Sequence, residues 1–219
     1  MNWEERLRER YPQPEVHQVE AFYFSLDGSG REIIIEELIK RDIRVMLEIG
    51  CFLSGSARQW LEAKQDLKLI GVDPWDADFA AILERYSNNP VFEPCFAQIL
   101  DRSAFIESVR RHGPYISALA NMKQYKDRFI PVRARSPEVL YELKRLNVQP
   151  ELIYFDSNKL LDDLTISHEL FPEAVLCGDD WTWGKSEGYP VQRAVRLFCS
   201  QYGYQVRSKR ASWVIDRMD

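Results

Sequence analysis

The chain has 219 residues, 45% of them hydrophobic and 29% charged, so it is long enough and apolar enough to fold around a buried core. Its net charge of −5 at pH 7 does not favour general binding of nucleic-acid phosphates. The N-terminal residues MNWEERLRER are charged, and no apolar run approaches the roughly 18 residues of a membrane span. The 4 cysteines are scattered without a CxxC pair, which argues against a zinc site or a disulfide framework. We therefore expect a cytoplasmic protein that binds neither nucleic acid nor membrane.

Apolar runs and helical patterns alternate from residue 30 onward. In chain order, the expected elements are helix 30–40, strand 44–50, helix 56–64, strand 67–73, strand 129–134, helix 136–146, strand 151–156, helix 160–171, strand 173–180, helix 191–203 and an antiparallel pair over 204–210 and 211–217. Strands that alternate with helices predict an α/β fold, in which a mostly parallel sheet has helices on both faces. With the closing pair, the sheet would have seven strands and an antiparallel last strand.

Two of these helices carry end signals in the sequence. Ser136 can cap the helix that follows it, and Pro137 suits the first helical position. Gly203 follows the apolar stripe of the last helix, where a glycine commonly ends a helix in a left-handed conformation. We therefore expect one helix to begin at Ser136 and the other to end at Gly203.

Two segments fall outside the alternation. Residues 74–128, after the second strand, are too long for a single strand-to-helix connection. The helices expected in this insertion cover about 77–86, 94–111 and 115–127. Such an insertion either covers and shapes a site or elaborates the fold without contacting a ligand. Residues 1–29 are less periodic and would form a lid over the site or a contact in a homodimer, whereas residues 30–219 form the main domain.

The turn after the first expected strand has features of a ligand site. The strand ends at Gly50, a helix follows Gly55, and Asp73 closes the second strand. Parallel sheets bind ligands beyond the carboxyl ends of their strands, and glycines let the backbone approach a ligand closely. The helix start offers free N–H groups to an anion, and the acid can accept both hydroxyls of a ribose. The alternative is a tight strand-to-helix turn with a solvated acid.

The motifs around this turn resemble those of class I S-adenosylmethionine (SAM) methyltransferases. They are EIG at 48–50, GSA at 55–57 and IGVDPW at 70–75. The likeness is greatest to the small sugar and natural-product O-methyltransferases of the macrocin type, and it extends from about residue 30 to residue 216. It implies a Rossmann-like sheet with a reversed last strand, which the closing antiparallel pair suits.

The same resemblance implies a set of cofactor contacts. The residues that it assigns to SAM are Glu48, Gly50, Gly55, Ser56, Asp73 and Ser136. Within this set, Gly50 and Gly55 would flank the methionine part, and Ser56 would meet its carboxylate. Asp73 would hold the ribose, and Ser136 falls where these enzymes usually contact the adenine.

Three further acids follow the fourth and fifth expected strands, namely Asp156, Asp179 and Asp180. Both strand ends open on the same edge of the sheet as Glu48 and Asp73. Neighbouring carboxylates repel one another unless positive charge lies among them. A hard divalent cation with oxygen ligands would supply that charge. The alternative is that Asp179 or Asp180 caps a loop and that Asp156 is solvated.

The pattern DSNK at 156–159 followed by GDD at 178–180 resembles the site of cation-dependent O-methyltransferases of the catechol and caffeoyl-CoA type. The Mg²⁺ ligands that this resemblance implies are Asp156, Asp179 and Asp180. The catalytic residues that it implies are Asp156 and Lys159. Mg²⁺ would lower the pKa of a substrate hydroxyl, and Lys159 would take the proton before the oxygen attacks the SAM methyl group.

These patterns together predict a SAM-dependent and Mg²⁺-dependent O-methyltransferase that acts on a small-molecule hydroxyl of the natural-product, sugar or phenol type. The aromatic residues Trp181, Trp183 and Tyr189 either wall that substrate or pack in the core. Two alternatives stay open. One is a metal-independent O- or N-methyltransferase in which Asp179 and Asp180 bind substrate, and the other is a SAM-binding module without catalytic activity.

Overall fold

The computed structural model describes residues 2–26, 28–157 and 160–217. Its strands are β1 (Val45–Ile49), β2 (Lys68–Asp73), β3 (Phe129–Arg133), β4 (Leu152–Phe155), β5 (Val175–Gly178), β6 (Tyr204–Lys209) and β7 (Ser212–Arg217). Its α-helices are α1 (Trp3–Arg10), α2 (Glu32–Lys40), α3 (Gly55–Ala63), α4 (Phe79–Ser87), α5 (Arg102–His112), α6 (Pro114–Asn121), α7 (Glu138–Arg145), α8 (Leu160–Leu170) and α9 (Pro190–Tyr202). Short 3₁₀ helices cover Pro90–Phe96, Lys123–Tyr125 and Lys185–Glu187.

The strands form one sheet in the order β3-β2-β1-β4-β5-β7-β6. Strands β1 to β5 pair parallel with one another, whereas β7 pairs antiparallel with both β5 and β6. The strand order reverses between β1 and β4, and open α/β sheets bind ligands at such a switch point. The mostly parallel seven-stranded sheet with a reversed last strand confirms the predicted fold class.

Helices cover the sheet from both sides, and the inner strands are therefore buried on both faces. Because side chains alternate along a strand, Ile153 of β4 packs in a cluster with α7, α8 and α9, whereas its neighbour Tyr154 packs with α2 and α3. On this second face, the ring of Tyr154 lies 5.2 Å from the ring of Trp60 in α3. The Tyr154 side chain therefore points toward the helices that flank the predicted cofactor turn.

The insertion between β2 and β3 folds around a third apolar cluster, which it shares with the loop that follows β1. Phe24, from the N-terminal segment, belongs to this cluster and is only 1% exposed. Its ring centre lies 4.9 Å from that of Phe96 and 5.6 Å from that of Phe105. The N-terminal segment and the insertion therefore pack as one unit beside the carboxyl ends of β1 and β2.

The N-terminal segment is anchored at two separate places. Leu7 of α1 is fully buried against the cluster of α7, and the Tyr11 hydroxyl donates to Glu142 Oε2 at 2.9 Å. Farther along, the Phe22 N–H donates to Asn121 Oδ1 at 2.7 Å, and the Asn121 amide donates to the Leu53 carbonyl at 3.0 Å. These bonds join the segment to α6 and to the loop after β1.

The expectation that Ser136 caps its helix is wrong. The helix α7 begins at Glu138, Pro137 precedes it with helical dihedral angles, and no side chain caps it. The Ser136 hydroxyl instead donates to Asp163 Oδ2 in α8 at 3.2 Å. The Ser136 hydroxyl, which the local sequence predicts to cap its own helix, is therefore hydrogen-bonded to a buried acid of another helix instead. At the end of α9, Gly203 has a φ of 71°, which confirms the predicted stop.

The insertion has more breaks than its sequence pattern predicts. The helix expected over 94–111 is wrong in extent, because a 3₁₀ helix occupies Pro90–Phe96 and α5 begins only at Arg102. Asp101 ends the intervening turn by accepting a hydrogen bond from the Ala104 N–H at 2.9 Å. An aspartate in that position caps a helix and therefore marks its true start.

The helices of the described segments are short. The longest of them is α9, with 13 residues. None has both the length and the apolar character that a membrane crossing requires.

Phe24→Ala should destabilise the protein, because the ring is buried against aromatic residues of the insertion. Large-to-small substitution of a buried phenylalanine lowers the free energy of unfolding by about 3–5 kcal/mol. Leu100→Ala is the control, since Leu100 is fully exposed and its loss should change stability by less than about 0.5 kcal/mol. Urea denaturation measures both variants, and equal midpoints would contradict the packing of the N-terminal segment.

Candidate functional site

A cavity of about 470 Å³ opens beyond the carboxyl ends of β1, β2, β3 and β4, at the switch point of the sheet. This size falls within the usual range for small-molecule sites. The residues on the strand side of the cavity are Ile49, Gly50, Val72, Asp73, Pro74, Ala134, Arg135, Ser136, Asp156 and Ser157. The residues that cover it are Leu26, Phe52, Phe79, Ile82 and Tyr86. The predicted residues Gly50, Asp73, Ser136 and Asp156 are therefore brought together around one cavity.

The insertion contributes part of the cavity wall. Phe79, Ile82 and Tyr86 all belong to α4, and Leu26 comes from the N-terminal segment. Of the two roles considered for the insertion, the geometry therefore favours the one in which it shapes a site. A second cavity, of about 520 Å³, lies between residues 10–14 and the start of α6 and contains none of the predicted site residues.

Gly50 permits a close approach between the ends of β1 and β4. Its φ is 90°, and a Cβ atom placed there would lie 1.9 Å from the Asp156 carbonyl oxygen. The Asp156 N–H donates to the Ile49 carbonyl at 2.8 Å, which continues the pairing of the two strands up to the cavity. A side chain at position 50 would therefore push the floor of the cavity apart.

Asp73 organises the loop that follows β1. Its carboxylate accepts backbone N–H bonds from Cys51 at 3.1 Å, Phe52 at 3.0 Å and Trp75 at 2.7 Å. Burial raises the pKa of Asp73, and these three donors oppose that rise. The side chain is only 7% exposed, so the alternative of a solvated acid is wrong. A carboxylate accepts about four hydrogen bonds, which leaves capacity for one more at the cavity wall.

Three of the predicted cofactor residues do not line the cavity. Glu48 is fully buried and accepts a hydrogen bond from the Ser56 hydroxyl; burial raises its pKa to about 8. Gly55 lies against the N-terminal segment, since a Cβ atom there would be 2.3 Å from the Phe24 carbonyl oxygen. Glu48, Gly55 and Ser56 therefore stabilise the turn from the side that faces away from the cavity. Phe52, which no sequence motif indicated, lines the cavity instead.

A buried acid in α8 holds the two serines of the cavity wall. Asp163 is fully buried, and its Oδ2 accepts hydrogen bonds from both the Ser136 and the Ser157 hydroxyl. This links the loops that follow β3 and β4. Asp163 was not among the predicted site residues, although an acid within an otherwise apolar stretch of a predicted helix was the available signal.

The three acids expected to bind Mg²⁺ have different surroundings. Asp156 is exposed and lines the cavity, Asp180 is also exposed, and Asp179 is only 5% exposed and does not line the cavity. Desolvation, followed by repulsion from Asp180 and Asp179, raises the pKa of Asp156 to about 7. Desolvation and Asp179 likewise raise the pKa of Asp180 to about 6. The acids therefore influence one another electrostatically, as their positions at the strand ends predicted.

The positive charge beside these acids is an arginine that was not among the predicted site residues. Arg31 Nη2 donates to Asp179 Oδ2 at 3.0 Å, and the Tyr154 hydroxyl donates to the same oxygen at 2.9 Å. Burial lowers the pKa of Arg31, but Tyr154 and the acids Asp179 and Asp156 outweigh it, so the net shift is upward. Arg31 therefore stays charged although it is only 5% exposed.

The arrangement does not fit a Mg²⁺ ion held by Asp156, Asp179 and Asp180. Among the described residues, no group of three or more acidic, histidine or cysteine side chains is placed to hold a metal ion. The physical reason is the buried ion pair, because Asp179 already carries Arg31 and Tyr154 on one carboxylate oxygen. The role of Asp156, Asp179 and Asp180 as metal ligands stays a prediction, and the buried ion pair argues against it.

Two other expectations have different outcomes. Lys159 lies outside the described residues, so its role as a base stays a prediction. Trp181 packs in the core with α9, beneath Arg196, and Trp183 is 54% exposed. Neither tryptophan lines the cavity. Trp181 instead packs in the core, which was the alternative to contacting the substrate.

The fold matches solved structures of methyltransferases. The O-methyltransferase TomG of Streptomyces achromogenes, solved with SAM, is 15% identical with a TM-score of 0.54, and the match covers 96% of this chain and 85% of that one. An O-methyltransferase of Bacillus cereus, solved with S-adenosylhomocysteine, is 11% identical with a TM-score of 0.52, covering 97% of this chain and 94% of that one. A Staphylococcus aureus structure provisionally named a caffeoyl-CoA O-methyltransferase is 11% identical with a TM-score of 0.57. The match covers 98% of this chain and 90% of that one.

At these identities the similarity establishes a shared fold. No protein-family model matches the chain, and no curated protein sequence matches it significantly. The chain shares the fold of these three structures, and at the level of the fold this confirms the resemblance found in the sequence.

Gly50→Ala should destabilise the protein and close the cavity floor, because the added methyl group collides with the Asp156 backbone. Gly113→Ala is the matched control: Gly113 also has a positive φ, 80°, but no atom lies within 4 Å of the position that its added methyl group would take. Backbone strain alone costs about 1–3 kcal/mol of unfolding free energy, and Gly50→Ala should exceed that. Thermal and urea unfolding compare the two, and equal losses would contradict the close approach of β1 and β4.

Proposed function

We propose that the protein is a SAM-dependent methyltransferase that transfers a methyl group to a hydroxyl oxygen of a small molecule. The observation that carries the proposal is the cavity at the carboxyl ends of β1 to β4, which combines Gly50 and Asp73 at the switch point of a methyltransferase fold. The named neighbours support it, since TomG was solved with SAM and the Bacillus cereus enzyme with S-adenosylhomocysteine.

In this proposal, the cofactor binds across the strand ends. Gly50 allows its approach to the backbone, the remaining acceptor capacity of Asp73 meets a ribose hydroxyl, and Ser136 lies on the wall near the adenine. Glu48, Gly55 and Ser56 act indirectly, by shaping the turn. When bound, SAM supplies an electrophilic methyl group.

The acceptor would bind under the insertion. Phe52, Phe79, Ile82 and Tyr86 make this side of the cavity largely apolar, which suits a ring-shaped or otherwise apolar small molecule. The Asp156 carboxylate lines the cavity and, unlike that of Asp73, is not held by three backbone N–H groups, so we assign it the role of accepting the hydroxyl proton. Its pKa of about 7 suits proton transfer at neutral pH. A contribution from Lys159 remains a prediction.

The buried ion pair favours the metal-independent form of this reaction. Arg31 supplies positive charge among the strand-end acids, so the proposal includes no step through Mg²⁺. The rate then depends on holding the acceptor oxygen and the methyl group together, with Asp156 beside the hydroxyl. The methyl group moves from sulfur to oxygen, the proton moves to the carboxylate, and S-adenosylhomocysteine leaves.

SAM should bind the wild-type protein with equal affinity in excess chelator and in Mg²⁺. Asp73→Ala should weaken this binding about 10- to 100-fold, because it removes a charge-assisted hydrogen bond and frees the loop after β1. Asp42→Ala is the control, since Asp42 is an exposed acid just before β1, at the opposite edge of the sheet. Calorimetry measures all three proteins. Absence of SAM binding by the folded wild type would contradict the proposal.

Transfer of a labelled methyl group to a panel of phenols, sugars and amines then identifies the acceptor class. Transfer to a hydroxyl compound supports the proposal. Transfer only to amines would show that the acceptor atom is nitrogen and not oxygen. SAM binding without transfer to any compound, including those in a cell extract, would favour the non-catalytic module.

A further inference from the structure

We infer that Arg31 is a built-in cation of this site, which supplies the positive charge that a divalent metal would otherwise bring to the strand-end acids and thereby keeps metal ions out. The inference deepens the proposed function and rests on it for its chemical meaning. Its observable consequence is that removing Arg31 creates a metal site, and this can be tested without any methyl transfer.

The guanidinium group is held on three sides. Nη2 binds Asp179, while Nη1 donates to Ser25 Oγ and to Gln59 Oε1, each at 3.2 Å. The guanidinium carbon lies 5.8 Å from the centre of the Trp60 ring. Such contacts require a planar group with several donors, which distinguishes arginine from lysine. Arg31 is therefore fixed in place beside the sheet.

The backbone around Arg31 is shaped to admit it. A Cβ atom at Gly28 would lie 2.0 Å from the Arg31 guanidinium carbon, and one at Gly30 would lie 1.8 Å from the Lys209 carbonyl oxygen. The Ala211 N–H donates to the Ser29 carbonyl at 2.9 Å, which ties this turn to the β6–β7 hairpin. The sequence GSGR at 28–31 thus leaves room for the guanidinium group at one glycine and for the hairpin at the other.

The charge of Arg31 acts on more than its direct partner. Its positive charge also attracts Asp156, Asp180 and Glu48. One buried cation therefore offsets the repulsion among four carboxyl groups of the strand-end region.

A divalent ion would have to compete with this arrangement. Asp179 is nearly inaccessible and uses one carboxylate oxygen for both Arg31 and Tyr154. A second cation near Asp156 would be repelled by the fixed guanidinium group, whose charge is itself buried and poorly screened. Mg²⁺ also gives up its water reluctantly, which makes a partly occupied carboxylate set a weak site.

The test is a titration with Mn²⁺, followed by electron paramagnetic resonance, of the wild type and of Arg31→Met, which keeps a long side chain without the charge. The wild type should bind no Mn²⁺ at this site at millimolar concentration. Arg31→Met should bind one Mn²⁺ ion with affinity increased about tenfold or more, and Asp156→Asn in that background should abolish the gain. Arg31→Lys keeps the charge and should show no gain.

A control and a second variant complete the design. Arg44→Met removes an exposed arginine that pairs with Asp42, and it should leave Mn²⁺ binding unchanged. Gly28→Ala places a methyl group where the Arg31 guanidinium lies and so displaces it from Asp179, while every charge stays in the protein. It should therefore gain Mn²⁺ binding even if Arg31→Met does not fold.

Two results would overturn the inference. The first is Mn²⁺ binding by the wild type that Asp156→Asn removes. The second is folded Arg31→Met and Gly28→Ala proteins that gain no Mn²⁺ affinity. Calorimetry with SAM tests the proposed function separately, so either conclusion can fail while the other stands.

Discussion

The buried ion pair between Arg31 and Asp179 joins parts of the chain that are distant in sequence. It connects the start of α2 to the end of β5, and Tyr154 from β4 completes it on the same carboxylate oxygen. The Trp213 indole N–H from β7 donates to the Asp179 carbonyl at 2.8 Å. Because removing one partner of a buried pair leaves an uncompensated charge, this pair constrains the geometry of the whole strand-end region.

The cavity follows from that constraint and from the turns beside it. Gly50 lets the ends of β1 and β4 meet closely, and Asp73 holds the next residues through three backbone N–H groups. The insertion and the N-terminal segment share an aromatic cluster containing Phe24, so they cover the strand ends as one unit. The sheet, the turn after β1 and the covering segments thus form one cavity that is lined by the carboxylates of Asp73 and Asp156.

The sequence predicted the sheet and its helices because periodicity and turn residues are local signals, as with Gly203 at the end of α9. It also placed Gly50, Asp73 and Asp156 at one edge, since the carboxyl ends of parallel strands meet there. It could not predict which partner each polar group would choose. Ser136 binds Asp163 rather than its own helix, and Asp179 binds Arg31, some 148 residues away, rather than a metal. Those choices depend on tertiary packing.

A crystal structure of the protein with S-adenosylhomocysteine, grown in the presence of Mn²⁺, tests the account most directly. We predict that the nucleoside lies in the cavity beside Gly50 and Asp73, and that Arg31 still contacts Asp179 at a distance of about 3.0 Å. No anomalous scattering peak should lie among Asp156, Asp179 and Asp180. A Mn²⁺ peak among these acids with Arg31 displaced, or a nucleoside bound elsewhere, would contradict it.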